Sequence, residues 1–208
     1  MDLAKVFLFD LDGSLADYEG AVLAGLERLR GPTEPALTEF TRAFWDQPHL
    51  KNRIDVLTSQ PGWWAGLQPL GAGMAVYHLA KERGFDCQVL TKGPRSQPRA
   101  WAEKVEWCQR HLGPDVDVHV VSDKGLVYGV ALYDDYPGYV EAWLRHRPRG
   151  LVVMPATTSN PKRLRPGSVC CSCASRAATA ARWPRPSPAS TAATRPRRAV
   201  PAAAHRGG

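Results

Sequence analysis

Short apolar runs alternate with helical periodicities along residues 5–154, and this alternation constrains the fold more than any other feature. Lys5–Phe9, Asp86–Leu90, Val116–Val121, Val130–Tyr133 and Leu151–Met154 read as buried strands. Ala21–Arg30 carries apolar residues at 22, 23, 26 and 29, which is helical spacing, and Gly73–Arg83 repeats the pattern. Trp101, Val105, Cys108 and Leu112 share one stripe of a helix that Gly113-Pro114 stops, and Tyr139–Leu144 reads as a short helix. Residues 31–70 are rich in Pro, Trp and polar side chains and read as an irregular or helical insertion. Strands alternating with helices imply an α/β fold with a parallel sheet covered on both faces.

In such a sheet, ligands sit at the carboxyl ends of the strands. Asp10 follows the first run, Thr91 the second, Lys124 lies just past the third, and Asp134-Asp135 follow the fourth. These side chains are therefore expected in one crevice. Asp10-Leu11-Asp12-Gly13 places two carboxylates close together on a turn that Gly13 permits. A carboxylate attacks an anionic phosphate ester only when a cation offsets the repulsion, a task suited to Mg²⁺ with oxygen ligands. On that reading Asp10 is a nucleophile and Asp12 a general acid and base. Taken alone, the Asp-x-Asp-Gly pattern fits a capped turn after a buried strand equally well.

The pattern is not alone. Phe7-Leu8-Phe9-Asp10-Leu11-Asp12-Gly13-Ser14-Leu15 resembles the first motif of the haloacid dehalogenase superfamily. Thr91 after Val89-Leu90 resembles its second, Lys124 in Val121-Ser122-Asp123-Lys124 its third, and Asp134-Asp135 its fourth. The resemblance covers residues 5 to about 155. It implies a parallel Rossmann-like sheet with a small helical cap inserted after the first motif. The expected division is a catalytic core at 1–16 and 73–160 and a cap at 17–72. It also implies roles: Thr91 and nearby amides for phosphate oxygens, Lys124 for charge balance, and Asp10, Asp12 (through its carbonyl), Asp134 and Asp135 for Mg²⁺.

Within the superfamily, Asp10–Glu19, Phe44-Trp45, Leu67–Ala72, Trp101–Gly113 and Leu132–Asp135 resemble the 5′(3′)-deoxyribonucleotidases. That resemblance implies a nucleoside 5′- or 3′-monophosphate as the small-molecule substrate, stacked by cap aromatics at Tyr18, Phe44 and Trp45. Lys92 stands where those enzymes carry a small hydroxyl residue, and Tyr136 where they often carry Arg. Both departures bear on substrate preference, and Lys92 is counted among the substrate-binding residues. Trp63 and Trp64 read as packing residues of the insertion. The competing readings are a phosphatase of the same superfamily for another small phosphoester, and a non-catalytic nucleotide- or nucleic-acid-binding protein. The second has no use for a carboxylate nucleophile.

Charge narrows the partners further. Residues 1–161 hold 17 basic and 20 acidic side chains, whereas 162–208 hold ten basic and none acidic. The net charge of +7 thus belongs to the tail and is poor evidence that the body binds nucleic acid, so no such partner is expected. The tail contains 12 Ala, 9 Arg and 6 Pro, which cannot bury enough apolar surface to order a chain. Residues 161–208 are expected to be a disordered basic tail, with the composition of an out-of-frame reading of a GC-rich gene. No apolar run nears the roughly 18 residues of a membrane helix, and residues 1–9 lack the layout of a signal peptide. A cytoplasmic enzyme is expected, and a homodimer is compatible with it. Five cysteines without paired C-x-x-C motifs indicate neither a disulfide framework nor a structural metal. The histidines show no metal-ligand spacing, and no P-loop, G-x-S-x-G or H-E-x-x-H occurs.

Overall fold

The computed structural model describes residues 5–157 and the backbone of 169–170. β1 (Val6–Phe9) lies inside a parallel sheet with β2 (Asp86–Lys92), β3 (Val118–Val121), β4 (Ala131–Tyr133), β5 (Leu151–Met154) and β6 (Val169–Cys170). Strand order is β3-β2-β1-β4-β5-β6, and each pairing is parallel. The order reverses between β1 and β4, so the carboxyl ends of these two strands open the crevice of a doubly wound sheet. β1 has no exposed face, which explains its unbroken apolar run.

Helices α3 (Gly71–Glu82) and α4 (Pro98–Leu112) and helix α5 (Pro137–His146) complete the layers. Phe7, Phe9, Tyr77, Val89, Trp107 and Cys108 belong to one buried cluster; Leu8, Leu90, Leu132, Trp143 and Val152 belong to another. Alternate residues of β1 fall into the two clusters, as a strand buried on both faces requires.

Between β1 and β2 lies the insertion. Its helices α1 (Tyr18–Arg28) and α2 (Pro48–Thr58) flank a 3₁₀ turn at Arg42–Asp46. The insertion has its own apolar centre, formed by Val22, Leu26, Phe40, Phe44, Ile54 and Leu57. Its entry and exit strands meet: Ala16 bridges Pro69, Asp17 N–H donates to Gln68 O at 2.8 Å, and Leu70 N–H donates to Leu15 O at 2.7 Å. Helix α4 holds the exit segment. Glu103 accepts from the amides of Gly62 (2.8 Å) and Trp64 (3.1 Å), and the Trp107 indole donates to Leu67 O at 2.7 Å.

Helices α2, α4 and α5 each begin on a proline in the first turn, where the missing N–H costs nothing. α4 and α5 therefore start earlier than the first large apolar residue suggests. β2 runs to Lys92 because Thr91 and Lys92 pair with Val120 and Val121, so Thr91 lies in the strand rather than after it. The expected unstructured tail lies outside the described residues except at Val169–Cys170. Those two residues pair in parallel with Val153 and Met154.

Candidate active site

β1 delivers Asp10 to the crevice, where its amide donates to Tyr133 O at 2.8 Å. The chain then turns tightly: Leu15 and Ala16 N–H donate to Leu11 O, and Gly13 N–H donates to Ala16 O at 2.9 Å. Gly13 has φ +76°, and a Cβ there would lie 3.1 Å from Asp135 Oδ2. Both the backbone conformation and the carboxylate alongside select glycine. Gly73 serves the same loop from α3, since a Cβ there would come within 2.0 Å of Ser14 O.

β4 delivers the second acidic pair. Asp134 accepts from Tyr136 N–H at 2.9 Å, a local bond that shapes the turn into α5. Oxygens of Asp10, Asp134 and Asp135 lie within 4.8 Å of one another, and all three residues are buried. Lys124 enters from the 3₁₀ turn Lys124–Leu126, capped by Asp123 accepting from Gly125 N–H at 2.8 Å. Its Nζ lies 2.6 Å from Asp10 Oδ1 and 2.8 Å from Asp134 Oδ2. Burial alone would depress this ammonium, but Asp10 and Asp134 outweigh it and hold the group charged.

One lysine does not neutralise three carboxylates. Burial first, then repulsion from Asp10, pushes the carboxyls of Asp134 and Asp135 far above the ordinary value. A buried set of hard oxygen donors short of positive charge suits a divalent cation. The Asp12 side chain stands apart from this cluster. Its Oδ2 pairs with Lys104 Nζ, and its buried Oδ1 has no partner.

Lys104 was not anticipated from the sequence. It is 1% exposed, sits on α4, and also donates to Thr91 Oγ1 at 3.2 Å and Lys92 O at 2.7 Å. Its signal was its spacing: Ala100, Lys104 and Cys108 recur every four residues and share the buried face of α4. That register turns Lys104 inward.

Asp10, Asp12, Gly13 and Asp135 open onto a cavity of about 640 Å³. Tyr18, Phe40, Trp45, Trp64, Tyr136 and Tyr139 supply its aromatic wall, and Arg42, Lys92, Arg95 and Lys104 its cations. Tyr18 and Trp45 both line this cavity. Phe44 does not line the cavity: it is buried in the centre of the insertion, its ring 5.7 Å from that of Phe40. Phe40 takes the wall position expected of Phe44. Trp64, read from the sequence as a packing residue, lines the cavity, stacks on Tyr18 at 5.5 Å and faces the Lys104 ammonium at 4.5 Å. Lys92 Nζ lies 5.2 Å from the Tyr139 ring centre.

A doubly wound sheet with this aspartate loop and paired aspartates at its switch point defines a hydrolase of the haloacid dehalogenase type. The chain belongs to the family of 5′ nucleotidases, deoxy (pyrimidine), cytosolic type C proteins, whose model matches residues 4–161. That membership makes it a phosphoric monoester hydrolase of the nucleotidase kind. The chain is similar to the human cytosolic-type 5′(3′)-deoxyribonucleotidase, 31% identical over 139 residues, covering 62% of this chain and 69% of that protein. It is similar to the mouse mitochondrial 5′(3′)-deoxyribonucleotidase, 32% identical over 141 residues, covering 62% of this chain and 64% of that protein. A haloacid dehalogenase family hydrolase of Deinococcus radiodurans is among the similar solved structures. Its TM-score is 0.46 at 11% identity, with 76% of this chain and 83% of that one covered. No described helix is long and apolar enough to cross a membrane.

Proposed function

We propose that this protein hydrolyses nucleoside 5′- or 3′-monophosphates, deoxyribonucleotides among them, through a phosphoryl group carried on Asp10, with Mg²⁺ as cofactor. The observation that carries the reading is the joining of Lys124 to both Asp10 and Asp134 inside a buried acidic cluster beside an aromatic cavity. Asp10, Asp134 and Asp135 would hold the metal, together with the Asp12 carbonyl that the resemblance implies. When bound, Mg²⁺ supplies charge neutralisation at the phosphoryl oxygens.

This chain's residues account for the rest. Lys124 pairs with Asp10 and lowers the repulsion between this nucleophile and the anionic substrate. Asp10 attacks phosphorus, and the bond from phosphorus to the ester oxygen breaks. Asp12 gives its proton to the departing oxygen. Burial raises its carboxyl from the ordinary value, against the Lys104 ammonium that lowers it, and Lys104 fixes its orientation. With the nucleoside gone, Asp12 takes a proton from water, which attacks the phosphoryl group and frees Asp10. The Thr91 hydroxyl is held by Lys104, which supports a role in placing phosphate oxygens.

The insertion would serve as the cap that reads the substrate. Its Tyr18, Phe40, Trp45 and Trp64 offer stacking faces, and a cavity of about 640 Å³ is of the size that takes a small ligand. The test is phosphate release from a panel of ribo- and deoxyribonucleoside 5′- and 3′-monophosphates, sugar phosphates and a small generic phosphoester. It is run with Mg²⁺ and with EDTA. Preference for nucleotides with loss in EDTA supports the reading. A sugar phosphate as the best substrate, or full activity after chelation, counts against it.

A further inference from the structure

Arg42 opens the 3₁₀ turn of the insertion, capped by Thr41 accepting from Ala43 N–H at 3.3 Å. Its side chain crosses from the insertion to the sheet. The guanidinium carbon lies 4.0 Å from the Tyr136 ring centre, and Nη2 lies 3.7 Å from Asp135 Oδ2. The side chain is 50% exposed and lines the cavity.

These distances describe an arginine that is placed but not spent. At 3.7 Å the contact with Asp135 is an ion pair longer than a hydrogen bond. Contact with the tyrosine face holds the guanidinium at the cavity without using its N–H groups. The two buried lysines differ. Lys124 is committed to Asp10 and Asp134, and Lys104 to Asp12, Thr91 and the Lys92 carbonyl. Of these three cations, Arg42 alone combines an open cavity position with the planar geometry that grips two phosphate oxygens at once.

We propose that Arg42 is a substrate-binding residue: from the insertion, with Tyr136 as its shelf, it clamps the phosphoryl oxygens of the substrate. The inference rests on the phosphomonoester reading above and adds to it a contact that brings the insertion onto the phosphate. It makes Arg42 a determinant of phosphate affinity that is blind to the base, in contrast to the aromatic wall.

The test measures binding of inorganic phosphate to the full chain with Mg²⁺ by calorimetry, beside KM for a nucleotide and for a small generic phosphoester. Arg42→Gln is expected to weaken phosphate binding by about ten- to hundredfold, the range for a hydrogen bond to a charged group. KM should rise comparably on both substrates, with the melting temperature unchanged. Arg42→Lys and Tyr136→Ala should each lose part of the affinity, and Tyr136→Phe should restore it. Should Arg42→Gln fail to fold, Arg42→Lys and Tyr136→Ala carry the test. Wild-type phosphate affinity in Arg42→Gln, or a loss confined to nucleotides, would overturn the inference. Those results differ from failure of the functional reading, in which the unaltered protein releases phosphate from no phosphomonoester.

Discussion

The Lys104 ammonium joins Asp12 to Thr91: one buried cation on α4 pairs with the carboxylate after β1 and donates to the hydroxyl at the end of β2. If Asp12 is the acid and Thr91 a phosphate ligand, Lys104 orients both. Lys104→Met keeps the apolar stem and removes the charge. It should lower kcat by roughly 10²–10³-fold, the scale for losing one preorganised donor. Steady-state kinetics on a nucleotide checks this. An unchanged kcat would reduce Lys104 to a packing residue.

The aromatic residues of the insertion divide into wall and filling. Trp45 is 42% exposed and lines the cavity, whereas Phe44 is 4% exposed within the insertion. Trp45→Ala should leave the melting temperature near wild type. It should raise KM for nucleotides more than for a generic phosphoester, because base stacking contributes about 1–3 kcal/mol. Phe44→Ala should instead cost about 3–5 kcal/mol of stability and affect all substrates alike. The reverse pattern in melting and kinetics would return Phe44 to the binding wall.

The acidic cluster makes stability depend on pH and metal together. Burial first, with repulsion from Asp10, raises Asp134 to about 7 and Asp135 to about 8, from an ordinary value of 3.8. Carboxyls raised on folding favour the folded state in protonated form. Their contribution is complete below the unfolded value of 3.8 and is lost as pH climbs through 7 and 8. In EDTA, the melting temperature should therefore fall between pH 5 and pH 8. Mg²⁺ should raise it more at pH 8, where the carboxylates are charged. Equal increments at both values would mean that the cluster does not bind the metal.

Much of the core was legible because its signals are local. Apolar runs of strand length marked five strands, and their polar ends marked Asp10, Lys124 and Asp134. The Asp10-x-Asp12-Gly13 spacing carried the turn. What escaped depended on packing. Lys104 lies 13 residues beyond Thr91 on a helix, so only the register of α4 hints that it faces inward. Phe40 lies just before the 3₁₀ turn that contains Phe44, and sequence does not decide which of two nearby rings faces the cavity. The Arg42–Tyr136 stack joins the insertion to the sheet across the cavity, a contact to which no sequence periodicity points.

The central claim is the nucleophile, and trapping tests it most directly. The full chain with Mg²⁺ is mixed with a nucleoside monophosphate labelled in its phosphate, quenched in acid within one turnover, and mapped by peptide mass. The expected result is label on the peptide containing Asp10, released by hydroxylamine as an acyl phosphate should be. Asp10→Asn should remain folded, take no label and lose turnover by many orders of magnitude. Label on another residue, or turnover near wild type in a folded Asp10→Asn protein, would contradict the account.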